Sequence, residues 1–272
     1  MVASVQLKLN RVFSGFWQRR YIISQLVMRE VLLKYRGSFM GVGWSFLHPL
    51  LLLATYTLVF GKAFGGHWVQ SNSNETPYAL FVFCGLVVFN LFSEVTSIAP
   101  RYIFGYSSYI KKIIFPSEIL PVVLFLSACI HSFISLIILS FAVLLFGSIF
   151  WTALLTPLIL IPFLLFILGL SWLLAALGVF VRDLMHLTPT LIQITLFVSP
   201  IFYPVNIVPD YLHWIYQINP ISNTMENLRL VMLLGKYPEW GTLAVSYVIG
   251  LSSLFMGYVF FSNSKEEFAD VI

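Results

Sequence analysis

The chain has 272 residues, of which 59% are hydrophobic, 17% aromatic and only 10% charged, and its mean hydropathy is +0.92. That composition excludes a soluble globular domain and fits a polytopic membrane protein. The formal net charge of +4 reflects cations set unevenly about a membrane, not nucleic-acid binding.

The first forty residues carry Lys8, Arg11, Arg19, Arg20, Arg29, Lys34 and Arg36 without a compact apolar core or a small-residue cleavage site. No cleavable signal peptide is expected, so this segment stays in the protein. From Trp17 to Tyr35 the pattern is helical and loosely amphipathic. Gln18, Gln25, Arg29 and Arg36 share a narrow stripe, and Glu30 with Lys34 makes a favourable i,i+4 pair. Such a helix suits the membrane interface, with its cations turned to the cytoplasm. A plain basic anchor that only orients the chain explains the segment equally well. Gly37, Ser38, Gly41 and Gly43 then permit a bend before the first apolar stretch.

A bilayer core about 30 Å thick needs roughly 20 apolar residues per helix. Six stretches qualify: Ser45 to Phe64, Tyr78 to Ile98, Leu120 to Phe146, Thr152 to Phe180, Leu187 to Pro204 and Thr242 to Phe261. The fifth is the weakest, since Pro189, Pro200 and Pro204 interrupt it. In an N-inside arrangement the cytoplasmic segments collect twelve cations, against three outside (Lys62, Arg229 and Lys236). Both termini are therefore expected in the cytoplasm. The stretch GGHWVQSNSNETP reads as a short outer loop, and VRDLMH as a tight inner one. Between spans two and three, RYIFGYSSYIKKIIFPSEILP is basic and aromatic, with Ser117 placed to cap the third helix and Glu118 to complement its dipole.

Polar groups inside a bilayer need partners or a cavity. Asn90, Glu94 and Ser97 share a face of span two, and Ser127, His131 and Ser135 share one of span three. Each stripe reads either as structural pairing, with Glu94 solvated or bound to Arg101, or as the lining of a substrate path. Cys84 and Cys129 fall inside spans, where a free thiol acts as a small apolar residue. The segment from Ser199 to Trp240 holds five prolines yet stays apolar and aromatic. It predicts a broken fifth helix, a short helix after Pro209, and another from about Asn223. Asn223 with Glu226 would form a capping box there, and Gly235 would end the run. These short helices would dip into the outer leaflet as an outer gate. Tyr203, Trp214 and Tyr216 belong to an aromatic group at this boundary. That group reads as an interfacial belt or, more sharply, as faces for pyranose rings.

The chain lacks a phosphate loop, since GKAF at Gly61 has neither the preceding glycine nor the hydroxyl residue. His48, His67, His131, His186 and His213 are scattered without metal-ligand spacing. No serine sits in a nucleophile elbow. A membrane enzyme is thus poorly supported.

The segments REVLLKYRGSFMGVGWSFLHPLL, KKIIFPSEILP, FVRDLMHLTPTLIQITLFVSPIFYP, INPISNTMENLR and FADVI resemble, in order and over nearly the whole chain, the permease subunit of type-2 ABC exporters for polysaccharides. The likeness is strongest to O-antigen exporters, with capsule and teichoic acid exporters as relatives. It implies an all-α membrane protein of six transmembrane helices, with an N-terminal interfacial amphipathic helix and short re-entrant outer helices between spans five and six. It also implies a single domain over 1–272: a cytoplasmic N-terminal segment to residue 43, a six-span bundle over 44–261 and a cytoplasmic tail. The implied partners are a separate ABC ATPase, which would bind the ATP and Mg that this chain does not, a second permease copy, membrane lipids and a lipid-linked polysaccharide. Two permeases and two ATPases would sit in a bacterial inner membrane. Arg29, Lys34, Arg36, Tyr109, Lys111 and Lys112 would couple to the ATPase. Asn90, Glu94, His131, Tyr203, Trp214 and Tyr216 would line the substrate path. An ATP-independent lipid flippase is the rival reading, though no duplicated half with matched broken helices is visible.

Overall fold

A computed structural model of the chain describes residues 17–63, 77–108, 116–146, 150–205, 208–209, 211 and 213–271. Among these it is helical, with no strand. Helix α1, Arg20–Lys34, lacks internal Gly or Pro and closes on Lys34, a cation suited to a helix C-terminus. The chain then turns through Gly37 and Gly41, whose φ values of 82° and 53° favour glycine. A single 3-10 turn, Gly41–Gly43, leads into α2, Trp44–Ala63. This is the elbow expected from the small residues.

Helices α3, Tyr78–Gly105, and α4, Ile119–Phe146, each have 28 residues. At 1.5 Å per residue each spans about 42 Å, more than a bilayer core. Helix α5, Thr156–Phe180, and α6, Leu184–Val198, follow. Then come α7, His213–Ile218, α8, Pro220–Leu233, α9, Trp240–Ser264, and α10, Phe268–Val271. Five of these helices, α2 to α5 and α9, are long and apolar enough to cross a membrane. The predicted fifth span is shorter than expected. It ends at Val198, because Ser199 is extended (ψ 143°) and the residue ahead of Pro200 is disfavoured from helix.

Helix α3 is the axis of the bundle: 83% of its most apolar window is buried, against 11% for α2 and 22% for α9. It packs against α2, α4, α5, α6 and α8. Helices α5 and α9 form the closest seam. A Cβ at Gly257 would overlap the Gly169 carbonyl, and one at Gly250 would overlap that of Pro162. Small residues here let two backbones meet, as packing between membrane helices requires.

Both ends of the described chain lie at one end of the bundle. Ile23 and Val27 of α1 pack on Ile119 and Val123 at the start of α4. Lys265, after α9, reaches Glu118 at 2.5 Å. Phe268 of α10 stacks against Phe180 and Phe261.

The start of α8 differs from the sequence expectation. Asn219, not Asn223, is the cap, its side chain accepting from the Ile221 amide at 3.0 Å. Asn223 lies within the helix and donates to the Gln217 carbonyl, while Glu226 turns to Arg229. Pro220 suits the first helical turn, so the cap lies four residues earlier. Gly235, with φ 65°, ends the run as expected.

Candidate functional site

Polar side chains from α1, α3 and α4 converge next to α2. Lys34 Nζ lies 2.7 Å from Glu94 Oε1, His131 Nδ1 lies 2.9 Å from the same oxygen, and Lys34 Nζ is 3.1 Å from His131 Nδ1. The same ring nitrogen, Nδ1, meets both Glu94 and Lys34, which leaves Nε2 on the other side of the imidazole. His131 Nε2 is buried and has no hydrogen-bond partner among the described residues. The Tyr35 ring meets the His131 ring edge-on at 5.8 Å. Glu94 is thus held by Lys34 and His131, not by Arg101, and Lys34 does not pair with Glu30.

This cluster forms one wall of a cavity of about 620 Å³, which Asn90, Ser45, His48 and Trp44 also line. A second cavity, of about 830 Å³ and mostly apolar, runs between α1, α3, α4 and α5, and Leu91 and Ser132 line both.

At the C-terminal end of α3, Tyr106 donates to Glu30 of α1, and the Arg29 guanidinium sits 5.7 Å from the Tyr106 ring centroid. Burial first, and then this donation to a carboxylate, push the Tyr106 hydroxyl up to about 12. It stays protonated and able to donate at every physiological pH. The outward face of α1 carries a shallow concavity lined by Gln25, Met28, Arg29, Leu32, Leu33 and Arg36. It mixes cations with apolar side chains, the composition of a docking surface.

At the opposite end, Arg229 is 1% exposed. It donates from Nε to the Phe81 carbonyl (3.0 Å), from Nη1 to Pro200 (2.6 Å) and Glu226 (2.7 Å), and from Nη2 to Ile201 (2.9 Å). One guanidinium thereby ties α8 to α3 and to the turn after α6. Tyr78 donates to the Phe202 carbonyl in the same turn. Sequence reasoning counted Arg229 as an outside cation and missed this role. The signal was present: an arginine three residues after a glutamate in an apolar segment needs a buried partner.

The predicted path residues fall in two places. Asn90, Glu94 and His131 share the polar cavity. Tyr203 and Tyr216 lie at the other end, their hydroxyls 3.1 Å apart, with Tyr203 also donating to Phe197. Trp214 is largely exposed near them, as are Trp151, Tyr211, Tyr237 and Trp240. Ser127 and Ser97 bond to carbonyls of their own helices. Of the predicted coupling residues, Arg29, Lys34 and Arg36 lie on or just after α1, and Tyr109, Lys111 and Lys112 fall outside the described residues. Cys84 and Cys129 are free thiols.

A family model for the ABC-2 type transporter matches residues 21–233. The O-antigen export system permease protein RfbA of Myxococcus xanthus is 27% identical, over 96% of this chain and 99% of its own length. A protein of the same name from Klebsiella pneumoniae is 23% identical over 93% and 96%. The polysialic acid transport protein KpsM of Escherichia coli is 23% identical over 93% and 97%.

Proposed function

The chain belongs to the ABC-2 type transporter family, and from that premise we propose that it is the permease subunit of an ATP-driven exporter of a lipid-linked polysaccharide. The observation that carries this reading is likeness along nearly the full length to permeases named for O-antigen and polysialic acid. Two glycans of different chemistry leave polysaccharide export as the common denominator. The O-antigen type is the first choice, and the KpsM likeness supports a capsule exporter as the second. Membership of an ABC family weighs against an ATP-independent flippase.

ATP and Mg are bound by a separate ATPase subunit in this reading. The cationic concavity on α1, with Arg29 and Arg36, and the basic segment with Tyr109, Lys111 and Lys112 are its docking surface. Lys34 then transmits displacement of α1 into the bundle through Glu94. Exposed apolar residues on α2 and α6, among them Leu51, Leu58, Leu191 and Phe197, suit lipid or a second permease copy. The functional unit has two permeases and two ATPases, with Tyr203, Trp214 and Tyr216 on the exit route. Arg29, Arg182 and Lys265 lie at the bundle end that holds both ends of the described chain, as their contacts with Tyr106, Phe104 and Glu118 indicate. By the positive-inside rule this end faces the cytoplasm of a bacterial inner membrane.

Affinity purification from the native host in mild detergent, followed by mass spectrometry, tests the assignment. An ATPase with a phosphate loop is expected in near-equal amount, with loss of surface glycan on gene deletion. A stable permease dimer that never brings down an ATPase, from cells whose surface glycan survives the deletion, would overturn it.

A further inference from the structure

We infer that the polar cavity between α1, α2, α3 and α4 holds the first sugar of the lipid-linked glycan, and that the carrier's hydrocarbon chain lies in the adjoining apolar groove. The inference rests on the export reading and assigns that substrate a place within one protomer.

The polar cavity offers hydrogen-bond capacity that the protein leaves unused. Ser45, 6% exposed, and His131 Nε2 are buried without partners among the described residues, an unfavourable arrangement unless a ligand or water completes it. Asn90, exposed in the single chain, opens into the same space. Carboxylate, imidazole, amide and hydroxyl groups together match vicinal sugar hydroxyls, each of which both donates and accepts. Charge points the same way. Lys34 is already matched by Glu94 at 2.7 Å, so the cavity is close to neutral and suits hydroxyls better than phosphate. Trp44, 39% exposed and lining the cavity, supplies a flat face for the C–H side of a pyranose. At about 620 Å³ the space is in the range of small-molecule sites.

The groove completes the argument. It meets the cavity at Leu91 of α3 and Ser132 of α4, and it runs along α4 from Val122 to Leu136, about 21 Å at 1.5 Å per residue. Val27, Val87 and Phe163 are among its apolar walls. A free sugar would leave this groove empty, and an ordinary phospholipid would leave Asn90, Ser45 and His131 unused. An amphiphile with a glycosylated head uses both.

The test employs the full chain with its copurified ATPase in nanodiscs and three probes: farnesyl diphosphate bearing one N-acetylhexosamine, bare farnesyl diphosphate, and phosphatidylglycerol as competitor. Wild type is expected to bind the glycosylated probe about tenfold or more tighter than the bare one. N90A and S45A, two independent variants, should each reduce that preference to about threefold or less while bare-probe binding persists. L91W, at the junction, should weaken both farnesyl probes. Equal binding of the two farnesyl probes by wild type, an intact preference in both N90A and S45A, or full displacement by phosphatidylglycerol at equal concentration would each overturn the site. The ATPase reports on the export reading separately. Its retention beside a wild type that binds both farnesyl probes equally overturns the site alone, and its absence from the wild-type preparation overturns the reading beneath it.

Discussion

Replacing Arg229 with methionine isolates the contribution of the buried guanidinium that ties α8 to α3. Methionine roughly preserves the length and volume of the aliphatic stem, so the change is mainly one of hydrogen bonding. It strands the carbonyls of Pro200 and Ile201, at about 1–3 kcal/mol for each buried group left unsatisfied, while the Phe81 carbonyl keeps its place in the α3 ladder. Glu226 loses its partner too, but its side chain is 27% exposed and water recovers part of that loss. A lower bound of about 2 kcal/mol follows from the two carbonyls alone. For a chain of this size each kcal/mol moves Tm by roughly 2–4 °C, so R229M should melt about 4–8 °C below the parent. Fluorescence-detected size-exclusion melting of detergent-purified protein measures the shift. R229K should fall between, because an ammonium keeps the charge but not the fork of donors. An R229M melting point within about 2 °C of the parent would refute the claim that the guanidinium holds the outer turn to α3.

The seam between α5 and α9 makes a second prediction: G257A should destabilise by about 1–3 kcal/mol through overpacking. G241A, whose added Cβ would meet nothing within 4 Å, should leave the melt unchanged. Y106F should loosen α1 from α3 and speed α1 amide exchange several-fold, by roughly the loss of one hydrogen bond to a charged group. The Tyr106 value is raised, so its contribution is complete below the ordinary tyrosine range and is lost only as pH climbs through about 12. The contact should therefore be flat from about pH 6 to 9, and protection of α1 that changed across that window would count against it. R29A combined with R36A should lower glycan export and ATPase recovery, with the melt falling by only a few degrees through loss of the Arg29 contact with Tyr106, about 0.5–1 kcal/mol at an exposed site. Normal export and recovery in that double variant would remove both from the docking surface.

Much of the bundle was legible because bilayer thickness and an apolar run of fixed length determine one another. Five spans needed only that rule. The fifth was predicted too long, because hydropathy counts Ile201 and Phe202 as span although Pro200 and Pro204 end the helix. The outer helices were legible as existing but not in register. Asn219 and Asn223 are both plausible caps, and Pro220, suited to the first helical turn, favours Asn219. The site was half legible for a similar reason. Periodicity put Asn90 and Glu94 on one face and His131 on another, yet no local rule says that Lys34, sixty residues from Glu94, supplies the counter-charge. The local alternative, an i,i+4 pair with Glu30, was the better bet on sequence alone and lost to two long-range contacts.

The two ends of the molecule are fastened by different physics, and this bears on how it works. At the outer end a single buried guanidinium serves four acceptors, an arrangement whose rupture costs several kcal/mol. At the other end the charged fastenings are partly exposed ion pairs, Lys34 with Glu94, side chains 44% and 20% exposed, and Lys265 with Glu118, 34% and 18%, beside the Tyr106–Glu30 hydrogen bond and the packing of Ile23 and Val27 on α4. Pairs open to water contribute about 0–1 kcal/mol each. If an ATPase docks on α1 as proposed, displacing that helix breaks the Lys34–Glu94 pair at small cost, together with the Tyr106–Glu30 hydrogen bond and the packing of Ile23 and Val27. The turn held by Arg229 is the stiffer of the two ends, so on that proposal movement begins at α1 and reaches the Arg229 turn last.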